Sequence, residues 1–341
     1  MRNPIKMMAL AGAALTFVLT GCSGEQAEKG SEQASAKPKE AQTLTVYSAG
    51  PDGLAEKLQK AFEEKTGKKI EMFGGTTGKI LSRLEAEKNN PVADVVVLAS
   101  AASMDGLKES GQLQAYKEAE NGDKINPDWS DSDGYYYGYS ASALGIAYNT
   151  KNVTAAPKNW SDLAKSEWKD KMNMPDPSLS GSALDFIFGY TGADKTAWKT
   201  IESWKKNGLQ VNGANKEALE SVITGNKDAT ISGVDYMAYK AKAEGEPVEI
   251  VYPESGTVVS PRSVGIMKDA KNAEDAKAYV DFLLSDDGQK LVTDAYLLPG
   301  NQDIPVKDRA ALKDIPQLKV DWKGAEQKQI DILTKFNDMF Q

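Results

Sequence analysis

The chain has 341 residues, with 41 Lys and Arg against 49 Asp and Glu, no His and one Cys. At about 100–200 residues per domain, this length predicts two domains, each able to bury a core. The absence of His excludes Ser-His triads and imidazole zinc sites, and a single Cys excludes an internal disulfide framework and CxxC redox chemistry. The net charge of −8 speaks against nucleic acid, which is met by a basic face.

Arg2 and Lys6 precede an apolar run from Met7 to Leu19, the length of a signal-peptide core and short for a membrane span. The run ends in Leu19-Thr20-Gly21-Cys22, which resembles the lipobox of bacterial lipoproteins. The expectation is a signal peptide over 1–21, cleavage before Cys22 and a lipid on its thiol. Residues 22–42 are rich in Ser, Ala, Glu, Lys and Gln without apolar periodicity, as in a flexible tether. Loss of Arg2 and Lys6 leaves 39 basic against 49 acidic residues, a balance of −10. The folded part is expected outside the cytoplasmic membrane, on its periplasmic side or at the cell surface, held by lipid.

From residue 43 the pattern alternates strand and helix. Thr43 to Tyr47 reads as a strand closed by Ser48-Ala49-Gly50-Pro51, and Leu54, Leu58, Ala61 and Phe62 recur at helical spacing up to Gly67. Lys69 to Phe73 predicts a second strand, then Gly74-Gly75-Thr76-Thr77-Gly78 opens a helix at Ile80, Leu81 and Leu84. Val95 to Leu98 is wholly apolar, the mark of a strand covered on both faces. Tyr135 to Tyr148 reads as extended. Trp160, Leu163 and Trp168 predict a helix with core tryptophans, and Tyr135, Tyr136, Tyr137 and Tyr139 a strand whose alternate rings pack inward. Ser178-Leu179-Ser180-Gly181-Ser182 opens another helix; Ala229 to Gly233, Val248 to Tyr252 and Val258 to Met267 look extended. Helical periodicity returns at Ala273–Leu284, Gly288–Ala295 and Ala325–Met339.

Tyr47-Ser48-Ala49-Gly50, the Gly-Gly-Thr-Thr-Gly loop, Ala93-Asp94-Val95, Tyr148-Asn149-Thr150, Pro157 to Leu163, Asp176-Pro177 with Ser180-Gly181-Ser182, and Phe282 to Ser285 with Gly288-Gln289 occur in an order that resembles the solute-binding proteins of bacterial ABC importers. The resemblance covers nearly all of 43–341. It lies closest to the branch of ferric-iron, 2-aminoethylphosphonate and sugar-phosphate binders. It implies an α/β, two-lobe periplasmic-binding-protein-like fold with two hinge crossovers, near Ala143–Thr150 and Val258–Met267. The first lobe is expected from 43–142 plus 264–341 and the second from 143–263.

Three loops suit an anion, because helix N-termini and hydroxyls present donors: Ser48, Ala49 and Gly50; Thr76 and Thr77; and Ser178, Ser180, Gly181 and Ser182. Each could equally serve as a helix cap. The iron binders of this family carry two adjacent tyrosines where this chain has Asp235-Tyr236. The departure turns the expectation from iron to a ligand with an anionic end, Asp235 meeting an ammonium or hydroxyl at the other and Tyr236 packing beside it. Arg262 either reaches the cleft or pairs with an acid.

The expectation is therefore a monomeric, non-enzymatic capture protein without cofactor, taking a small phosphonate or phosphate such as 2-aminoethylphosphonate and delivering it to a membrane permease. Ferric iron held by Tyr236 and Asp235 is the alternative ligand. A carboxylate glycosidase would need two acids about 5–10 Å apart in one cleft, and Asp94, Asp176 and Asp235 show no such pairing in sequence. A sensor domain for the same ligand lacks an output segment.

Overall fold

A computed structural model describes residues 43–340, Lys323 excepted. The expected signal peptide, Cys22 and tether lie outside the described residues. The described chain opens with β1 (Leu44–Ser48), α1 (Asp52–Thr66), β2 (Ile70–Gly74), α2 (Thr77–Ala86), β3 (Val95–Leu98), α3 (Ala101–Glu109) and β4 (Leu113–Gln114). The long β5 (Tyr136–Asn149) leads to β6 (Met172–Met174), α4 (Gly181–Ala193), α5 (Ala197–Lys206), β7 (Gln210–Val211), α6 (Asn215–Ile223), β8 (Ala229–Val234), α7 (Asp235–Ala243) and β9 (Val248–Val251). β10 (Val259–Met267), α8 (Ala273–Leu284), α9 (Asp286–Asp294), β11 (Leu298–Pro299) and α10 (Ala325–Phe340) complete it.

Periodicity explains these elements. Leu54, Leu58 and Phe62 lie one turn apart on α1 and are buried together, and Gly67 ends the helix at φ 71°, its N–H bonded to Glu63 O. In β3, Val95 and Val97 enter one core while Val96 and Leu98 enter another across the sheet, as a period of two requires. Each such fully buried side chain contributes about 1.5–3 kcal/mol. Tyr137 and Tyr139 point into the first of these cores, and Tyr135 and Tyr136 pack on the second.

The strands run in the order β2-β1-β3-β10-β5-β8-β6-β7. β1 is parallel to β2 and β3, and β10 is antiparallel to β3 and β5. β5 belongs to both halves of the molecule. Tyr136 to Ala143 pairs with β10, whereas Leu144 to Asn149 pairs with β8 and β9. The chain thus changes halves between Ala143 and Leu144, and returns through residues 252–258 between β9 and β10. All of β10 lies in the first half. The expected second crossover at Val258–Met267 is shifted because that run is ladder-paired along its length.

The second half packs around Trp160, Phe186, Tyr190 and Trp204, with Phe186 stacked on Tyr190 at 5.5 Å and Tyr190 on Trp204 at 5.8 Å. Trp160 and Trp168 are core residues as expected, but they sit in 3-10 turns over Trp160–Ala164 and Ser166–Trp168, not in one α-helix. Of the segment 264–341, expected on the first half, Val264 to Leu297 pack there, whereas Leu318, Ile332, Phe336 and Met339 pack on the second core. No helix among the described residues is long and apolar enough to cross a membrane.

Candidate ligand cleft

Because β1, β2 and β3 are parallel, the loops that follow them emerge at one edge. Ser48 O accepts the Gly75 N–H at 3.0 Å, and Ser48 Oγ accepts the Gly50 N–H at 3.0 Å. Thr76 caps α2 through the Lys79 N–H at 3.4 Å, and the buried Thr77 Oγ1 accepts the Ala99 N–H at 3.2 Å. These contacts tie the three loops into one rim.

The opposing rim is the start of α4. Ser180 caps it through the Ala183 N–H at 3.1 Å and donates to Asn215 Oδ1 at 2.9 Å, while Asn215 Nδ2 donates to Ser182 Oγ at 3.1 Å. Ser178 is exposed, its N–H bonded to Asp176 Oδ1 at 2.7 Å. The rims touch. A Cβ at Gly78 would lie 2.8 Å from Ser178 O, and one at Gly181 would lie 2.8 Å from Thr77 Oγ1. The fold therefore brings together Ser48–Gly50, Thr76–Thr77 and Ser178–Ser182, and within this group Thr76 and Ser180 also perform the capping that their sequence positions allow.

Behind the rims lies a floor built by β5 and β10. Arg262 faces Ser140 across the ladder, and Ser260 faces Ser142. Arg262 is buried, 5% exposed, and has no carboxylate partner among the described residues. Among the described residues its hydrogen bonds are long, to Ala49 O at 3.4 Å and Ser140 Oγ at 3.5 Å, and its guanidinium stands 5.8 Å from the Tyr236 ring centre. Burial pushes the neighbouring Tyr139 phenol up, with Arg262 pulling against it. Ser142 Oγ is buried with no hydrogen-bond partner among the described residues. A buried cation without a counter-charge and a buried hydroxyl without a partner are both costly, and both are suited to an anion.

Asp235 and Tyr236 divide. Tyr236 packs between the two cores, under Arg262. Asp235 is fully buried in the hinge. Its Oδ2 accepts the Ala143 N–H at 3.0 Å, the Tyr252 hydroxyl at 3.0 Å and Arg309 Nη2 at 2.6 Å, and its Oδ1 accepts the Tyr236 N–H at 2.7 Å. Burial pushes its carboxyl up, against the pull of Arg309 and the Ala143 and Tyr252 donors. An ammonium, or a ferric ion, would have to displace Arg309 to reach this carboxylate. Among the described residues no cluster of three His, Cys, Asp or Glu side chains could hold a metal.

The sequence-based site omits Arg262, Ser140 and Ser142. A signal was present: Val258 to Met267 contains one charged residue, Arg262, and no acid, so an inward-facing Arg there has no local partner.

The sequence of the bacterial extracellular solute-binding protein family matches residues 90–328. A probable ABC transporter periplasmic-binding protein, y4fP, of Sinorhizobium fredii is 27% identical over 311 residues, covering 87% of this chain and 84% of that protein. Iron uptake protein A1 of Synechocystis sp. is 25% identical over 284 residues, covering 79% and 77%. The periplasmic binding protein AfuA from Actinobacillus pleuropneumoniae, solved with fructose-6-phosphate bound, superposes with a TM-score of 0.80 at 25% identity, covering 87% of this chain and 98% of that one. The family match over most of the chain, joined to a two-half α/β architecture whose fold that structure shares, makes this protein a member of the bacterial extracellular solute-binding proteins.

Proposed function

We propose that this protein captures a small phosphate or phosphonate compound between its two lobes and hands it to the permease of an ABC importer, acting as a monomer tethered by lipid at Cys22 and performing no covalent chemistry on its cargo. The observation that carries the reading is Arg262, a buried guanidinium without a carboxylate partner among the described residues, beside Ser140 and the unpartnered Ser142 hydroxyl. Arg suits a phosphoryl group through paired N–H donors. The starts of α2 and α4, with Ser48, Thr76, Thr77, Ser180 and Ser182, add neutral donors around the same anion.

Asp235 holds the hinge in this reading, and Tyr236 positions Arg262. The far end of the ligand then needs no ammonium, so a hydroxylated phosphate ester fits as well as 2-aminoethylphosphonate. Lobe one is 43–143 with 259–297, and lobe two begins at 144, the two joined again through 252–258.

A thermal-shift panel tests this. The full chain is heated with 2-aminoethylphosphonate, inorganic phosphate, fructose 6-phosphate or ferric citrate, since a ligand that binds only the folded state raises Tm. The expected result is a rise with at least one phosphoryl compound that Arg262→Gln abolishes. A rise with ferric citrate alone, with a tyrosinate absorption band lost in Tyr236→Phe, overturns the reading in favour of iron.

A further inference from the structure

We propose that Asp185 is a proton-linked latch on lobe closure, a carboxylate of the second half held by hydroxyls of the first only while the cleft is shut.

Asp185 lies on α4 and is fully buried. Ser100 Oγ donates to its Oδ1 at 2.7 Å, Gln329 Nε2 donates to the same oxygen at 2.9 Å, and Ser260 Oγ donates to Oδ2 at 2.6 Å. The donors come from three elements. Ser100 caps α3, accepting the Ser103 N–H at 3.2 Å, which leaves its own proton for Asp185. Ser260 stands on β10, in the first half. Gln329 stands on α10, whose Phe336 packs with α4 in the second core.

No cation is paired with this carboxylate among the described residues. The charged groups on the elements packed against it are Asp105, Lys108 and Glu109 of α3, Arg262 of β10, and Glu326, Lys328, Asp331, Lys335 and Asp338 of α10. What acts on the Asp185 carboxyl is burial, with the hydrogen bonds of Ser260, Ser100 and Gln329. Lys108 pairs with Asp131, Asp105 and Glu326 feel Glu109, and Arg262 faces Ser140. Burial alone pushes the Asp185 carboxyl up, to about 6, against the three hydrogen bonds.

The closed site also accommodates the protonated acid. Ser260 Oγ lies 3.3 Å from Ala99 O as well as 2.6 Å from Asp185. When Asp185 is ionised, Ser260 donates to it. When Asp185 carries a proton, it can donate to Ser260 Oγ, whose own proton turns to Ala99 O. The neutral form thus keeps its hydrogen bonds without a buried charge.

Opening at Ala143/Leu144 and 252–258 carries α4 away from Ser100 and Ser260. The carboxylate loses those two donors and gains water, and its pKa returns toward about 3.9, the ordinary Asp value. The sign follows. The closed state holds the proton more tightly, so closure takes up a proton between about pH 4 and pH 6, and acidification favours the closed form. A drop from pH 7.5 to 5 should shift the closed-to-open ratio by about tenfold.

The test is small-angle X-ray scattering of the full, ligand-free chain from pH 7.5 to 5, which avoids titration of any phosphoryl ligand. The wild-type radius of gyration should fall with acidification. Asp185→Asn, which removes the titration and keeps the shape, should stay compact at every pH. Ser100→Ala, which leaves the α4 side untouched, should give a more open protein at pH 7.5 and move the transition to higher pH, and it answers the question should Asp185→Asn fail to fold. A flat wild-type profile, an Asp185→Asn profile that keeps the wild-type slope, or a Ser100→Ala profile identical to wild type overturns the proposal.

Discussion

Arg309 Nη2 lies 2.6 Å from Asp235 Oδ2, and both side chains are fully buried. The same carboxylate oxygen accepts the N–H of Ala143, where β5 changes halves, and the hydroxyl of Tyr252, where the chain starts back. Arg309 in turn donates to Tyr296 O and Ala310 O. One buried carboxylate therefore joins both crossover segments to the chain that follows β11. Its geometry fixes the start of α7, and with it Tyr236 under Arg262.

Arg309→Ala should cost about 3–5 kcal/mol, because it leaves Asp235 buried without its cation. Asp235→Asn combined with Arg309→Met should cost less than the sum of the two single changes. Urea unfolding of the four proteins measures both quantities. A loss below about 1 kcal/mol for Arg309→Ala would mean that the pair contributes no more than a surface salt bridge and that the hinge role is wrong.

Ser142→Ala separates stability from binding. The hydroxyl is buried and has no partner among the described residues, so its removal should leave stability unchanged or raise it by about 1 kcal/mol. If it serves the anion, the same change should weaken binding of a phosphoryl probe such as fructose 6-phosphate about fivefold, the value of one hydrogen bond of about 1 kcal/mol. Calorimetric titration beside a melting curve reads both. Lower stability with unchanged affinity would make Ser142 a packing residue.

Gly181→Ala should obstruct closure without harming the fold. Its Cβ would meet Thr77 Oγ1 at 2.8 Å and Thr77 Cβ at 3.0 Å, across the two rims, while alanine favours the helix by about 0.5–1 kcal/mol. The expected outcome is an undiminished Tm, weaker binding and faster ligand release. Gly53→Ala in α1 is the control, since nothing lies within 4 Å of its Cβ, and it should leave affinity untouched. Equal affinity for both variants would show that the rims need not approach this closely to hold ligand.

Much of this was legible in the sequence. The spacing of Leu54, Leu58 and Phe62 marks α1, and the all-apolar Val95–Leu98 marks a strand with a core on each face. The Gly-Thr-Thr and Ser-Gly-Ser loops announce helix starts, and the structure caps both at Thr76 and Ser180. These signals are local: they depend on which side chains recur every two or three to four residues, and on which residues can cap a helix.

Asp235 and Arg262 were not legible, for a shared reason. Each is read correctly only when its partner is known, and the partners are distant in sequence. Asp235 meets Arg309, 74 residues on, so a carboxylate that suits a ligand amine in sequence has its oxygens engaged in the fold. Arg262 is flanked by Pro261 and Ser263 and could have met a surface acid, but the ladder seats it opposite Ser140, with no carboxylate paired to it among the described residues. Asp185, inside an apolar helix, reads as one polar residue among many until α3, β10 and α10 close over it. Composition, periodicity and the order of its motifs determined what kind of protein this is, because those properties follow from local backbone chemistry and the covalent chain. Which charges stay unpaired, and so which residues can bind, was decided only by the tertiary structure, because a buried charge takes its meaning from the groups that folding brings within a few ångströms of it.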